Sequence, residues 1–484
     1  MKKANLFNVF IAPLAIGLVL AVSGCAVGPN YHRPSAPAAP SFKESPPEGW
    51  KQAQPNAGIP RGKWWEVYND PTLNSMEEQV SISNQNVLHA LALYREARDT
   101  VRIARSNYFP TVSASASITN SRSSGTLNRN NQVNFISGTN TRYSLPVDVS
   151  YQADVWGSIR RTVAADRDTA QATDADLENA RLTFQAQLAE FYFELKGQDS
   201  AAALLQQTLA GYEQYLQLTK ERFSVGVASG SDVAQAETQL NTTQAQLVDI
   251  GVARAQFEHA IAILMGKPPA ELTIAPGVLK ILPPSMPVGL PSALLERRPD
   301  IASAERQVAA ANEEIGVAKA AFFPSLIFSA TGGLESTSIT KWISLPSRFW
   351  SLGPQFSEVL FSGGKRHAQV DFQEAAYDAS VTNYRQTVLT AFQQIEDNLA
   401  ALRILEQEAA AQEKAVRSAQ QSLAISTEQY KAGTTDYLQV ITTQTTALQN
   451  ERVAVDIHTR RMAASVLLIE ALGGGWDISQ IPKQ

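Results

Sequence analysis

The chain holds a single cysteine in 484 residues, at position 25. A lone thiol forms no intramolecular disulfide and lacks the partners of a zinc site. His32, His89, His259, His367 and His458 are dispersed, with no i, i+4 pair to grip a metal. No G-x-S-x-G elbow is present. The stretch "SGGKR" over 362–366 is half a phosphate loop. It fails because Arg366 replaces Ser or Thr and no glycine lies five residues before Gly364. These absences argue against an enzyme, and no cofactor or metal is expected. Charge is scarce as well: charged residues are 18% and the net charge is -5, so no basic field invites nucleic acid. Beyond the first 24 residues no apolar run approaches the ~18 residues of a membrane helix. If this protein crosses a membrane, it does so with strands.

What is present begins at the N-terminus. Lys2 and Lys3 precede an apolar core from Val9 to Val22, the plan of a secretory signal peptide. Val22-Ser23-Gly24-Cys25 resembles the bacterial lipobox. The resemblance implies cleavage before Cys25, so that 1–24 is a lipoprotein signal peptide and Cys25 the lipidated residue. Several acyl chains anchor a protein stably, at roughly 0.8 kcal/mol per buried methylene. Residue 26 is Ala. By analogy with enteric bacteria, an Asp there favours the inner membrane, so Ala points outward. Residues 25–62, rich in Pro, Ala and Ser, are expected to form an extended lipid tether. Trp64 and Trp65 follow as packing residues.

The remainder says itself twice, with a period of about 205 to 214 residues. "RSNYFPTVSASAS" (105–117) matches "KAAFFPSLIFSAT" (319–331), and "YQADVWGSIRR" (151–161) matches "FSEVLFSGGKR" (356–366). "RFSVGVASGSDVAQ" (222–235) matches "QYKAGTTDYLQ" (429–439). The first repeat is set at 63–267, a linker or equatorial region at 268–295, the second repeat at 296–474 and a tail at 475–484. Strands are expected at about 106–120, 141–156, 322–333 and 349–361. From Tyr143 to Val155 every second residue is apolar or aromatic, with polar residues and Pro146 between them. Such alternation means one apolar and one polar face. A spanning strand needs roughly 9–11 residues, and four strands cannot close a barrel in lipid. Several copies are therefore required; three give twelve strands, although the sequence alone does not fix that number.

Helices are expected at about 158–224, 232–266, 365–431 and 436–472. Arg366 to Tyr430 contains neither proline nor glycine. At 1.5 Å per residue, such a helix reaches on the order of 100 Å. Alone, it also fits a solvated coiled coil. Gly226 and Gly433 each lie three residues after an aromatic, Phe223 and Tyr430, as helix-ending glycines do. Asp232 and Asp436 then read as N-caps of the return helices, each with Gln three residues on.

The segment "LLERRPDIASAERQVAAANEEIGVAKAAFFPSL" (294–326) is very similar to one shared by NodT-type outer-membrane lipoproteins, the TolC-like outer channels of RND efflux pumps. The "CAVGPNYHRP" start, the paired Phe-Pro strand openings and the two glycine tips agree with it. The resemblance implies an α+β membrane protein: a homotrimer whose twelve-stranded outer-membrane β-barrel, four strands per chain, continues into a long periplasmic α-helical barrel. It implies a passive duct for drugs or other toxic compounds, with outer-membrane lipid, a periplasmic adaptor and an inner-membrane RND transporter as partners. Leu438 matches an apolar constriction position at the periplasmic gate. Thr442 stands where many relatives have Asp, and Gln439 where some do. A gate closed by apolar contact and hydrogen bonding is expected from Leu438, Gln439 and Thr442. Phe223, Val225, Gly226, Tyr430, Ala432 and Gly433 are expected to meet the adaptor. Two alternatives stay open: a lipid-anchored coiled-coil structural protein of the envelope, and a TolC-like protein-secretion channel.

Overall fold

The computed structural model describes residues 26–37, 41–44, 62–122, 139–284 and 297–482. The signal segment 1–24 and Cys25 lie outside them, as do residues 123–138 between the first two expected strands. The chain forms two compact units. One is drawn from Met1–Pro34, Arg95–Ala170 and Glu305–Thr382, the other from Ser35–Tyr94, Gln171–Ala304 and Asn383–Gln484.

The order of elements runs twice. Helix α1 (Pro71–Ser83) leads into α2 (Gln85–Ser106), then β1 (Thr111–Ala114), β2 (Ser117–Arg122) and β3 (Thr139–Ala153). Helices α3 (Ser158–Ser224) and α4 (Gly230–Leu264) follow. Then come α5 (Pro299–Ala320), β4 (Ser325–Ser336), β5 (Arg348–Ser357), α6 (Lys365–Lys431) and α7 (Tyr437–Ala471). The helices match in length: 22 residues in α2 and α5, 67 in α3 and α6, 35 in α4 and α7. Among the described residues no helix is long and apolar enough to cross a membrane.

The first unit contains an antiparallel sheet ordered β1-β3-β4-β5, with β2 also on β3. Its register brings residues of one parity together. Val112, Val149, Ala330 and Leu352 form one row; Ala153, Leu326 and Phe356 form another. Side chains of one parity share a face, so this face is apolar, and Val112, Leu352 and Phe356 are exposed on it. Ser113, Asp148, Thr331 and Ser351 make a row on the opposite face, where Thr331 Oγ1 donates to Asp148 Oδ1 at 2.7 Å. Ile327 falls on that polar face.

Pro146 explains why the first strand is in two pieces. Ser115 N donates to Pro146 O at 3.1 Å, but proline has no N–H to return the bond, and the ladder lapses between Ala114 and Ser117. On the other side Pro146 faces Gly333, where a Cβ would stand 2.3 Å from Leu145 O. The strand expected from 106 starts instead at Thr111. Residues 107–109 close tight turns onto Ala104, Arg105 and Ser106 carbonyls, and Pro110 follows without a donor. The strand expected at 322 likewise begins at Ser325, after turns at Phe322 and Phe323. The strand expected to run to 361 stops at Ser357, before Gly363 and Gly364 take positive φ and open α6.

Two stretches of the expected extended tether, 26–31 and 42–44, are docked. Val27 N donates to Trp156 O at 3.1 Å, and Arg161 Nε donates to Val27 O at 2.9 Å while pairing with Glu313 at 2.7 Å. Tyr31 OH donates to Glu305, and Gly28 lies so close to Gly316 that a Cβ there would come within 2.5 Å of the Gly316 Cα. In the second unit, Lys43 N and Glu44 N donate to the two Glu396 carboxylate oxygens, and Phe42 packs edge-on against Phe392. Each docked stretch exchanges chain freedom for hydrogen bonds to buried or half-buried partners.

The core of the second unit gathers Trp64, Trp65, Tyr68, Leu73, Val80, Tyr192, Phe193 and Ile469, among others. Asp70 caps α1 by accepting from Thr72 N and Leu73 N, with Pro71 at N1, and also accepts from Tyr192 OH at 2.6 Å. Arg298 grips Asp300 through two bonds, at 3.0 and 2.6 Å, and donates to Ala471 O at 2.9 Å. The "RPD" of the family-like segment thus ties the start of α5 to the end of α7.

Candidate functional site

Both interhelical turns belong to the second unit. After α3, Gly226 N donates to Phe223 O at 3.0 Å and Val227 N to Arg222 O at 2.8 Å. After α6, Gly433 N donates to Tyr430 O at 3.0 Å and Thr434 N to Gln429 O at 2.9 Å. The paired 5→2 and 6→1 bonds are Schellman closures, which need a left-handed residue. Gly226 and Gly433 supply it, with φ of 77° and 75°.

The two return helices start differently. Asp436 is the N-cap of α7, its Oδ1 accepting from Gln439 N at 3.1 Å. The cap of α4 is Ser229 rather than Asp232. Ser229 Oγ accepts from Asp232 N at 3.1 Å, and Asp232 Oδ2 accepts from Ser229 N at 2.8 Å. Asp232 is the third helical residue of a reciprocal capping box. Its charge still favours the positive end of α4.

Phe223, Val225, Gly226, Ala432 and Gly433 are exposed at the turns. Tyr430 is not. It is 3% exposed, packed with Tyr437, Val440 and Ala236, so its side chain cannot meet a partner. It serves instead as the post joining the two hairpins. Its ring lies 5.4 Å from that of Tyr437, and the Arg222 guanidinium stands 4.6 Å from its centroid. Arg222 Nη1 also donates to Tyr430 O at 2.8 Å and to Lys431 O at 3.4 Å. A cation there satisfies the last carbonyls of α6 and complements its dipole. Arg222 carries this clamp, and the sequence reading passed it over. Its one signal lies in the repeat, where the residue aligned with Arg222 is Gln429.

Along α7 the faces separate. Tyr437, Val440, Thr443, Gln444 and Ala447 are buried, while Leu438, Gln439, Thr442, Thr445 and Thr446 are exposed. Leu438 is 59% exposed and is therefore not part of its own chain's core. Thr442 Oγ1 donates to Leu438 O at 2.9 Å, and Thr446 Oγ1 to Thr442 O at 2.8 Å. From Leu438 to Gln449 this face carries no charged side chain. Among the described residues no group of three or more His, Cys, Asp or Glu is arranged to hold a metal.

The outer membrane efflux protein family profile matches residues 78–267 and 290–474. The chain is 30% identical over 458 residues to the probable efflux pump outer membrane protein TtgC of Pseudomonas putida, spanning 94% of this chain and 93% of that protein. It is 29% identical over 465 residues to the outer membrane protein OprJ of Pseudomonas aeruginosa, spanning 96% and 95%. Its fold is similar to that of the solved outer-membrane channel OprN, with a TM-score of 0.83 at 27% identity over 93% of this chain and 100% of that one.

Proposed function

Because the chain belongs to the outer membrane efflux protein family, we propose that three copies close one twelve-stranded barrel, continuous with a periplasmic helical barrel built on the internal repeat. The protein is an outer-membrane channel component of an efflux pump. Its family is one of ducts rather than enzymes. One observation carries the membrane reading: the antiparallel sheet exposes Val112, Trp350, Leu352 and Phe356 on a face of a single parity. Water would penalise that face, and lipid accepts it.

The partners in this reading are a periplasmic adaptor and an inner-membrane RND transporter. Phe223, Val225, Gly226, Ala432 and Gly433 meet the adaptor. Leu438 narrows the mouth by apolar contact, with Gln439 and Thr442 beside it and no carboxylate ring. Cys25 bears the lipid. Small toxic compounds pass by diffusion, selected upstream. The signal, tether, two-repeat and tail divisions given above frame this assembly.

The test is deletion of the gene, followed by complementation, with susceptibility to a panel of dyes, solvents and antibiotics as readout. Increased susceptibility restored by the wild-type gene is expected. Unchanged susceptibility across the panel, together with a purified protein that conducts no ions in a planar bilayer, would refute the reading.

A further inference from the structure

The loop between β4 and β5, residues 337–347, folds back on its own sheet. The Trp342 ring lies 5.5 Å from that of Tyr143, and its indole N–H donates to Leu334 O at 3.4 Å. Tyr143 has the parity of the apolar face, so Trp342 rests on that side of the sheet. The loop also satisfies its own polar groups. Ser344 Oγ and Ser347 Oγ both donate to Lys341 O at 2.6 Å. Lys341 N donates to Ser338 O at 3.2 Å, and Ser338 N to Ser336 Oγ at 3.1 Å. What the loop shows outward is largely apolar: Ile343 is 80% exposed and Leu345 72%. Internal bonds of this kind lower the cost of irregular backbone at the edge of a bilayer.

Charge is divided unevenly between the two faces. Among the described strand residues, the polar parity carries Asp148 and the pair Arg142 and Glu335, 3.4 Å apart. The apolar parity carries no carboxylate. Its charged residues are Arg122 and Arg348, both at the loop end. Arg348 closes the last row of that face, beside Leu334 and Leu145. Its Nε donates to Leu345 O at 3.0 Å, which holds the guanidinium plane and leaves two nitrogens for another partner. Lys341 is exposed on the same loop.

We propose that this loop and the start of β5 seat a phosphorylated glycolipid of the outer leaflet, with Arg348 and Lys341 on a phosphate and Ile343 and Leu345 on its acyl chains. The order along the face is apolar rows, then Tyr143 and Trp342, then cations. That is the order of hydrocarbon, interface and charged headgroup in a bilayer. A face without carboxylates suits an anionic lipid, and a guanidinium fork matches a phosphate. Helices α5 and α6 join β4 and β5 at the opposite end of the sheet. With the helices periplasmic, the loop reaches the outer leaflet, whose anionic lipid is a phosphorylated glycolipid. The inference rests on the proposed reading that this sheet spans the outer membrane.

The test is native mass spectrometry of the purified full-length protein, titrated with a bisphosphorylated, acylated diglucosamine. The wild type is expected to bind it. Lys341→Gln combined with Arg348→Gln should weaken binding about tenfold or more, since charge-assisted bonds are lost. The dephosphorylated lipid should bind the wild type as weakly as the phosphorylated one binds the variant. Equal binding by wild type and variant overturns the cation seat, and equally tight binding of phosphatidylglycerol overturns the choice of glycolipid. A polarity-sensitive dye on Ile343→Cys, in vesicles containing the glycolipid, reads the surroundings of the loop. The unmutated chain, with Cys25 alone, gives the background. Emission should be blue-shifted relative to Ser351→Cys on the polar face, and matching emission overturns the placement of the loop in lipid. Planar-bilayer conductance separates the two levels of failure. A protein that conducts but binds no glycolipid loses only this seat; one that also conducts no ions loses the membrane reading with it.

Discussion

Arg222→Met should loosen the second turn and leave the rest of its unit intact. The guanidinium donates to Tyr430 O at 2.8 Å, and a hydrogen bond from a charged donor is worth about 1.5–3 kcal/mol. The 3.4 Å contact to Lys431 O adds little at that length. The cation over the Tyr430 ring, at 4.6 Å, contributes about 0.5–2 kcal/mol. One contribution opposes these. Arg222 Nε is buried without a partner, a burden of about 1–3 kcal/mol that methionine removes. Methionine also keeps much of the unbranched stem. The balance is a local loss of about 1–3 kcal/mol, or roughly 5- to 150-fold in the opening equilibrium. Amide hydrogen exchange reads it directly. Gly433 and Thr434 donate the two closing bonds, so their amides should exchange faster by that factor. Arg222→Lys should fall between the two. Unchanged exchange at both amides would show that Tyr430 is held by its apolar contacts alone, and the clamp argument would fail.

Gly226→Ala and Gly433→Ala should each lose about 1–2 kcal/mol of local stability from the left-handed backbone. At Gly226 a new Cβ meets nothing within 4 Å. Asparagine, which tolerates that conformation, should lose less, and exchange of the flanking amides checks the order. Bulkier residues at either position should also lower adaptor co-purification and resistance; wild-type values in both mutants would oppose the proposed docking. Leu438→Ser should raise single-channel conductance and antibiotic entry, and no change in either would remove Leu438 from the gate. Glu77 is fully buried in the second unit with no partner for either carboxylate oxygen, and burial holds its pKa well above the ordinary value. Its favourable neutral form is complete below about pH 4.5, and stability is lost as pH rises toward the raised folded pKa. Glu77→Gln should therefore raise the melting temperature at pH 8 more than at pH 4; equal shifts would contradict a buried neutral carboxyl.

Much of this architecture is written locally. The alternation from Tyr143 to Ala153 needs only period two, and the helix-ending glycines need only their spacing from the preceding aromatic. Nonlocal features are harder to read. The lapse at Ser115 depends on which residue faces Pro146, a matter of register. The burial of Tyr430 depends on Arg222 reaching it from the other hairpin, more than 200 residues earlier in the chain. Docking of 26–31 depends on Glu305 and Gly316, nearly 300 residues away in the chain, so composition alone reads that stretch only as an extended tether. Ser229 was legible in principle, as Ser-x-x-Asp. The acid three residues on drew the cap to itself because Asp436 does cap the other repeat.

The equal helix lengths in the two halves bind distant stretches of the gene together. Each residue added to a helix moves its turn by about 1.5 Å and rotates it by about 100°. An insertion in the 67-residue arm of one half would put its Schellman turn out of step with the clamp that Arg222 makes to the other. The same insertion made in both halves, and in their 35-residue return helices, restores the match. Length should therefore change in this lineage by coordinated steps, with four segments of the gene edited as one.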